Sequence, residues 1–420
     1  MKKIRELNFY ETACALGHDL GHGAFNMTMG FEINRKLDVE ILRNAIRYSF
    51  ESHLLLRAIL FFEENHYIFI ENNDFNKVCI KVEECDKMLE ECFSEEQDTR
   101  FCNSESLIRF RVIKKHETDL FLMSMHHGLG DGMSMWKIIR EIFNSYLKIQ
   151  KNEKVILKSM KYDKSLEDVV ESEVSKLGEI IENSYNKEFI LNKYVQIEER
   201  STGVQLIHIE KNEFKKIVIE AKKMSITVNS FLTRNLFESI VNMLKVPSEI
   251  TINTPFNLFT QFNVIEHFPD TDFGNGVGMI VQKYKSDDYS TFCEWSMKFE
   301  KELKEKIKVY KISKLSVDNF LSAKHLIETL IEQSSKGTIP LDFMHSNIGK
   351  VTLHSELDSQ IKGMISGGGR RMGDQVLFVV PISIDGELYV SVSFTRPFVS
   401  DEWVHEFVKN YKNNYRRVIG

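Results

Sequence analysis

The stretch His126-His127-Gly128-Leu129-Gly130-Asp131-Gly132 lies where a strand pattern gives way to a helix pattern. Residues 107–114 and 119–127 are largely apolar and flank a short polar segment, which predicts a pair of strands. From Met133 to Lys148 the apolar residues recur three and four positions apart, which predicts a helix. The two histidines and the aspartate are therefore expected at a strand-to-helix junction.

Each residue type in this stretch has a chemical use. The glycines let the backbone turn sharply and approach a ligand, and the start of the helix offers unpaired N–H groups. A histidine has an ordinary pKa of about 6.5, so it can accept a proton from an alcohol or an amine near neutral pH. His127 is thus a candidate general base.

Three other interpretations compete. The Gly-x-Gly-x-Gly spacing resembles a dinucleotide-binding loop, but Met133 stands where the third glycine of that fingerprint belongs, and the preceding strand is in an apparent hairpin. His126, His127 and Asp131 could ligate a metal, although without a further convincing ligand they make a weak site. The histidines could also be hydrogen-bonded structural residues.

His18 and His22 raise the metal question a second time. Their four-residue spacing fits one helix face, but Gly21 and Gly23 weaken a helix there, so we predict a loop near the cleft and a role other than metal binding. The sequence contains no nucleophile elbow, Walker loop, H-E-x-x-H pair or C-x-x-C cluster. It therefore carries no common signature of a covalent hydrolase, a nucleoside triphosphatase or a zinc protease.

Other elements extend outward from the motif. Residues 25–33 alternate apolar with polar side chains, which predicts a strand with one buried face. Asp38 is predicted to cap a helix that runs to His53, and residues 54–62 and 67–71 are predicted to form a hairpin. In the second half, helices are predicted over 211–223, 228–244 and 296–308, and strands over 250–255, 277–284 and 375–384.

The length of 420 residues exceeds the roughly 250–300 residues at which one hydrophobic core stops growing, so two lobes are expected. The sequence between Lys148 and Glu171 is polar and rich in lysine, which favours a crossing between the lobes, with the boundary near 165–180. This predicts an N-terminal lobe over 1–170, carrying the motif, and a C-terminal lobe over 171–420.

Composition excludes several functional classes. A content of 42% hydrophobic and 28% charged residues is typical of a globular protein, and a net charge of -6 provides no basic field for nucleic acid. The most apolar run, 376–382, is far shorter than the ~20 residues of a transmembrane helix, and no apolar signal core follows the N-terminus. Six cysteines without paired spacing fit reduced thiols, so a cytoplasmic location is expected.

The motif resembles the His-His-x-x-x-Asp-Gly signature of the coenzyme-A-dependent acyltransferase superfamily at its fixed positions, His126, His127, Asp131 and Gly132. That superfamily includes chloramphenicol acetyltransferase, the condensation domains of peptide synthetases and alcohol acetyltransferases. Weaker similarities follow in the family's order along the chain, at residues 53–58, 227–232, 254–259, 272–275 and 346–349. The chain departs from the family at Phe259, where an arginine that pairs with the motif aspartate is common.

The resemblance implies an α/β fold of two similar chloramphenicol-acetyltransferase-like lobes that form a V, with a substrate tunnel between them. His127 would face this tunnel and accept a proton from a hydroxyl or an amine as that group attacks a thioester. We predict that Asn275, Ser393 and the amides after Gly132 are candidate oxyanion donors or tunnel groups. His126, Asp131 and Gly132 are predicted to be structural.

The role of Asp131 follows from its position at the end of the turn. Its carboxylate can cap the amides of the following helix or pair with a buried arginine. Because Phe259 replaces the usual arginine, Arg57, Arg109 and Arg111 in neighbouring strands are the predicted partners.

The implied reaction needs no metal and no tightly bound cofactor, only a thioester co-substrate and a small-molecule acceptor. Acyl-CoA is the first expectation for the donor. A free-standing condensation enzyme that takes its donor from a carrier protein, and forms an amide or an ester, is the alternative. A non-catalytic binding protein with the same fold is a third hypothesis, against which an intact His127 argues.

Overall fold

The computed structural model describes residues 2–64, 66–102, 105–158, 174–175, 188–244, 246, 248–261, 274–288, 290–313 and 317–420. Its helices are α1 (Phe9–Leu20), α2 (Val39–Ser52), α3 (Leu89–Asp98), α4 (Gly132–Gln150), α5 (Lys211–Lys223), α6 (Val228–Val241), α7 (Leu258–Gln261), α8 (Phe292–Lys308), α9 (Val317–Gln333) and α10 (Asp401–Ile419). The predicted lobe boundary, near 165–180, falls almost entirely outside these residues and stays a prediction.

Among the described residues, the strands fall into two main sheets and three small ones. The first ten strands are β1 (Lys2–Glu6), β2 (Asn26–Ile33), β3 (Ala58–Glu63), β4 (His66–Glu71), β5 (Cys79–Glu84), β6 (Ile108–Lys114), β7 (Asp119–His126), β8 (Val174–Ser175), β9 (Glu188–Ile190) and β10 (Ser201–Ile209). The remainder are β11 (Glu249–Asn257), β12 (Val277–Lys285), β13 (Ile312–Ser313), β14 (Thr338–Pro340), β15 (Asp342–His345), β16 (Gly349–Lys350), β17 (Ile361–Gly368), β18 (Leu377–Ile384) and β19 (Glu387–Arg396).

Each main sheet has its own hydrophobic core. The first sheet has the order β17-β2-β7-β6-β5, and its core includes the apolar faces of α2 and α4. The second has the order β10-β19-β18-β15-β11-β12, with β16 also paired to β18, and its core includes the apolar faces of α6, α8 and α10. The architecture is therefore a two-lobed α/β fold, as the sequence predicted.

Strand β17 links the two lobes. It belongs to the second half of the sequence, yet it pairs antiparallel with β2 and completes the first sheet. It also lies against the second sheet, since the amide of Ser366 donates a 3.1 Å hydrogen bond to Oγ of Ser391 on β19. The edge of one lobe is thereby fixed across the face of the other.

Local signals in the sequence located most elements correctly. Asp38 caps α2 as predicted, accepting hydrogen bonds from the amides of Glu40 and Ile41. The expected hairpin of β6 and β7 is antiparallel, and α4 begins at Gly132.

Three expectations were wrong in detail. Strand β2 is buried on both faces, because it lies inside a sheet with layers on either side. Residues 54–57 form a 3₁₀ turn, so β3 begins only at Ala58. His18 lies in α1 and not in a loop, since the helix ends at Leu20, just before the glycines expected to disrupt it. Within the described part of the chain, no helix is long and apolar enough to span a membrane.

Candidate active site

The motif turn is held by its own backbone. His127 donates its amide hydrogen to the carbonyl of Phe25 at 3.1 Å, which extends the pairing of β7 with the segment before β2. The amide of Leu129 donates to the carbonyl of His126 at 3.0 Å. Helix α4 then starts with Asp131 as its N-cap, so the turn is fixed at both ends.

His127 lines a cavity between the two lobes. The side-chain amide of Asn275 donates to the carbonyl oxygen of His127 at 3.0 Å and lies 3.5 Å from its Nδ1. No side chain among the described residues hydrogen-bonds to Nε2, and His127 is half-buried, so part of the residue stays accessible. Nε2 is therefore the nitrogen open to a substrate.

The pKa of His127 is lowered from the ordinary histidine value. The largest cause is burial, which disfavours the charged ring, and it outweighs the carbonyls of His127 and Gly130 and the carboxylate of Asp131, all of which favour the charged form. The ring is thus neutral at neutral pH and can accept a proton.

His126 has a different environment. Its side chain is fully buried, and its ring centroid lies 4.8 Å from that of His18. Nδ1 accepts a 3.0 Å hydrogen bond from the amide of Gly128, so the ring proton belongs on Nε2. Burial and the neighbouring histidine hold the pKa of His126 well below its usual range. The buried His126 ring therefore stabilises the turn by accepting the hydrogen bond from Gly128, which fits the predicted structural role.

The carboxylate of Asp131 accepts hydrogen bonds from backbone amides. Its Oδ1 accepts from the amide of Ser134 at 2.8 Å, and its Oδ2 accepts from the amide of Gly276 at 3.3 Å. The predicted arginine partner was wrong, because each candidate arginine is bonded elsewhere. Arg57 pairs with Glu71, Arg109 with Glu96, and Arg111 with Glu83 and Glu95. The alternative prediction, a helix cap, is the arrangement in the structure.

The segment 274–276 ties the motif to the second lobe. The amide of Asp131 donates to the carbonyl of Gly274 at 3.1 Å, and Oγ of Ser134 donates to the same carbonyl at 2.9 Å. Residues 272–273 of the weakly similar segment 272–275 lie outside the described residues. His127 is consequently positioned from both lobes, by the strand that carries it and by the segment that leads into β12.

Phe259 is buried and packs over Gly276. A Cβ atom added to Gly276 would lie 2.2 Å from the Phe259 ring, so only glycine fits beneath it. Gly132 is similarly close to its surroundings, because a Cβ atom there would lie 2.9 Å from Cδ1 of Ile348. These close approaches let the start of α4 and the start of β12 meet at the cavity.

The cavity has a volume of about 280 Å³ and mainly apolar walls. That is roughly twice the ~150 Å³ of a cavity that binds benzene, so it holds a substrate group of about a dozen non-hydrogen atoms. Its walls include five methionines, which adapt readily to different apolar shapes. These are Met27, Met135, Met279, Met344 and Met372.

The structure separates the two predicted oxyanion or tunnel residues. Asn275 lines the cavity, but Ser393 does not. Ser393 is fully buried on β19, one layer behind Gly367, where a Cβ atom would lie 3.2 Å from its Oγ. Sequence reasoning missed Arg370 and Asp374, which do line the cavity. The glycine run at 367–369, directly before Arg370, is the signal that could have located them, since such a run permits close approach of the backbone.

Neither His18 nor His22 reaches the cavity. His18 is buried and bonded to Asp19 at 3.1 Å, while His22 lies in the turn after α1 with positive φ. Among the described residues, no group of three His, Cys, Asp or Glu side chains could hold a metal.

Comparison with known proteins extends these observations. The condensation-domain family profile matches residues 18–179, which include the motif. Comparison with curated protein sequences gives no match.

Three solved structures share the fold over nearly the whole chain. Polyketide synthase associated protein 5 from Mycobacterium tuberculosis is similar with a TM-score of 0.72 and 12% identity, covering 100% of this chain and 98% of that one. The epimerization domain from the third module of tyrocidine synthetase B has a TM-score of 0.66 and 13% identity, with coverage of 100% and 98%. The trichothecene 15-O-acetyltransferase from Fusarium sporotrichioides has a TM-score of 0.69 and 10% identity, with coverage of 99% and 94%.

Proposed function

We propose that this chain transfers an acyl group from a thioester to a hydroxyl or an amine, with His127 as general base. The match of residues 18–179 to condensation domains and the fold shared with an acetyltransferase support the proposal. The observation that carries the proposal is the position of His127. Its ring is neutral, its Nε2 is open, and it lines an apolar cavity between the lobes that accommodates a substrate.

In the proposed mechanism Nε2 of His127 accepts the proton of the acceptor hydroxyl or amine while its oxygen or nitrogen attacks the thioester carbonyl carbon. The tetrahedral intermediate collapses with cleavage of the C–S bond. The leaving thiolate takes the proton back from His127, so the enzyme returns to its starting state. General base catalysis of this kind typically contributes about 10²–10⁴ in rate.

Two neighbouring groups fit supporting roles. The start of α4, where Gly132 lines the cavity, presents the positive end of a helix dipole that stabilises a developing oxyanion. The Asn275 amide is occupied by the carbonyl of His127 and lies 3.5 Å from Sγ of Cys14, so it fits a positioning role better than the oxyanion role expected from sequence.

Cys14 lines the same cavity, and its chemistry favours direct transfer without an acyl-enzyme. Burial raises the pKa of the Cys14 thiol to about 12. A thiol in that state is a poor nucleophile, because the thiolate is the reactive form.

The donor of the proposed reaction is acyl-CoA in the first instance. The match of residues 18–179 to condensation domains favours a second candidate, a free-standing condensation enzyme that takes its acyl group from a carrier protein. Both candidates use a small-molecule acceptor and the same base, and neither needs a tightly bound cofactor.

The test is a transfer assay with a panel of acyl-CoA and acyl-carrier-protein donors, in which products from a metabolite pool are detected by mass spectrometry. Wild-type protein is compared with His127→Ala and with the matched control His405→Ala, whose side chain is exposed on α10. Product with CoA donors supports the first candidate, and product with carrier donors alone supports the second. Equal turnover by wild type and His127→Ala refutes the proposed mechanism, and no turnover with any donor favours a binding protein.

A further inference from the structure

A row of four residues crosses the cavity from the first sheet to the second. Met27 on β2 pairs with Gly368 on β17 in the first sheet. Met344 on β15 pairs with Phe378 on β18 in the second sheet. All four residues line the cavity. The row is therefore a strip of the cavity wall to which both lobes contribute.

The two halves of this row meet at Gly368. A Cβ atom added to Gly368 would lie 3.5 Å from Cε1 of Phe378, so a side chain there would point from the first sheet towards the second. Directly opposed residues of paired strands share a face, which places that side chain on the same face as Met27. The neighbouring Gly367 points the other way, since its added Cβ atom would lie 3.1 Å from the ring of Phe93 on α3. A side chain at position 368 would thus enter the cavity.

Neither the backbone nor close packing requires a glycine at position 368. The φ angle of Gly368 is not positive, so a residue with a side chain can adopt the same backbone conformation. A contact of 3.5 Å is an ordinary van der Waals distance, whereas a Cβ atom on Gly276 would lie 2.2 Å from its neighbour. What Gly368 provides is therefore open space in the row between Met27 and Phe378.

The strand register places Gly368 about 12 Å from His127. The amide of His127 donates to the carbonyl of Phe25, two positions before Met27, which is about 7 Å along the strand at ~3.4 Å per residue. Across the sheet, β2 lies between β7 and β17, so two strand spacings of ~4.8 Å separate the two residues. Both residues line the cavity, so its wall runs over this distance.

The wall suits an apolar chain of matching length. An extended chain covers ~3.5 Å per three bonds, so about ten bonds span the distance. Met27, Met344 and Phe378 present apolar side chains to it. Arg370 and Asp374 also line the cavity, but they are bonded to each other at 2.7 Å and balance each other's charge. A chain of about ten carbons also agrees with a cavity that holds about a dozen non-hydrogen atoms.

We propose that Gly368 determines the length of the substrate chain. Its missing side chain leaves a passage between Met27 and Phe378, through which an alkyl chain of about ten carbons extends from the reacting group beside His127. The inference rests on the proposed acyl transfer, because it concerns the substrate of that reaction. Such a chain occurs in a medium-chain acyl donor and in a long-chain alcohol or amine acceptor, and the chemistry of the chain is the same in both.

The test measures binding by calorimetry with one ligand at a time, so that no transfer takes place. One series of probes consists of unbranched alkan-1-ols with chains of four to twelve carbons, which represent the acceptor. The other consists of S-alkyl thioethers of N-acetylcysteamine with the same chains, which are stable analogues of a thioester donor. With wild-type protein, affinity is expected to rise about fourfold per methylene up to about ten carbons and then to level off. The series that shows this rise identifies the substrate that carries the chain.

Variants at two glycines of β17 locate the limit. Gly368→Ala is expected to bind the ten-carbon probe at least about fourfold less tightly than wild type, and Gly368→Leu at least about fiftyfold less tightly. Both should bind the six-carbon probe as wild type does, because that chain ends before it reaches position 368. Gly363→Ala is the matched control, since a Cβ atom there also has its nearest contact at 3.5 Å, to Leu89, and Gly363 does not line the cavity. Phe378→Ala lengthens the passage and should bind the twelve-carbon probe about tenfold more tightly.

Binding of neither series, or an affinity that does not depend on chain length, overturns the proposal. Wild-type affinity of Gly368→Ala for the ten-carbon probe, or an equal loss in Gly363→Ala or with the six-carbon probe, overturns the assignment to Gly368. No gain in Phe378→Ala overturns the course of the chain towards Phe378. Circular dichroism checks the fold of each variant, and Gly368→Ala decides if Gly368→Leu does not fold. A protein whose chain-length limit depends on Gly368 but which transfers no acyl group refutes the proposed function, while the role of Gly368 stands.

Discussion

Replacement of Asp131 is the most informative perturbation of the motif. Its carboxylate caps α4 and accepts the amide of Gly276 from the second lobe, and it is 97% buried, with 3% exposed. Loss of an N-cap costs about 0.5–2 kcal/mol. A buried amide left without a partner costs about 1–3 kcal/mol, and the long 3.3 Å bond to Gly276 points to the lower half of that range.

Asp131→Ala is therefore expected to lower the free energy of unfolding by roughly 2–4 kcal/mol. The physical cause is the loss of two amide acceptors, and no buried arginine is left unpaired, since Arg57, Arg109 and Arg111 keep their own carboxylates. Urea denaturation followed by circular dichroism measures this change. Ser134→Ala, which removes the neighbouring hydrogen bonds to Gly274 but keeps the cap, is the matched control.

Asp131→Asn separates structure from electrostatics. Asparagine is as good an N-cap as aspartate, so most of the stability remains. The negative charge that favours protonated His127 is removed, so the pKa of His127 falls and the acid limb of kcat/KM moves to lower pH. An Asp131→Ala protein that unfolds like wild type but has no activity, or an Asp131→Asn limb that moves to higher pH, would refute this reasoning.

Three further outcomes are expected. His127→Ala is expected to keep the wild-type circular dichroism spectrum while its transfer rate falls by about 10²–10⁴-fold. In the wild-type protein, the acid limb of kcat/KM should lie below the ordinary histidine pKa of about 6.5, because burial lowers the pKa of His127. Asp342→Asn is expected to raise the free energy of unfolding by up to about 3 kcal/mol at pH 8, because burial raises the pKa of Asp342 to about 6 and each pK unit is ~1.4 kcal/mol. At pH 4 the carboxyl group is protonated in the folded protein, so denaturation at that pH should show no gain. Activity survives exhaustive chelation, measured as transfer before and after EDTA treatment and dialysis, whereas loss that added metal restores would favour metal ligation by the motif.

The part of the site that the sequence predicted is the part that local patterns determine. The strand β7, the turn and the start of α4 are contiguous, and periodicity together with glycine located them within a residue or two. The Asp38 cap was predictable for the same reason, because its hydrogen bonds reach only Glu40 and Ile41.

The rest depends on contacts between distant residues. Strand β17 joins β2 across more than three hundred positions, and one sequence carries no signal for that pairing. The alternation in β2 suggested an exposed polar face, but polar residues there are buried against each other, as in the 2.8 Å hydrogen bond between Oγ1 of Thr28 and Oγ of Ser124. For Asp131 a helix cap and an arginine partner were both expected, and the structure has the cap, together with a hydrogen bond from the distant amide of Gly276 that no local pattern indicates.

These distant contacts explain why the candidate base depends on both lobes. The amide of His127 is bonded to Phe25 in the first lobe, while its carbonyl accepts from Asn275 at 3.0 Å in the segment that leads into the second. A relative movement of the lobes by about one ångström would therefore stretch the hydrogen bond between Asn275 and His127 beyond hydrogen-bonding distance. Substitutions in the contact between the start of α4 and the segment 274–276, such as at Ser134 or Gly276, should consequently change the geometry of His127 without removing a contact to the substrate. Such losses would be expected mainly in kcat, while KM reports the methionine wall.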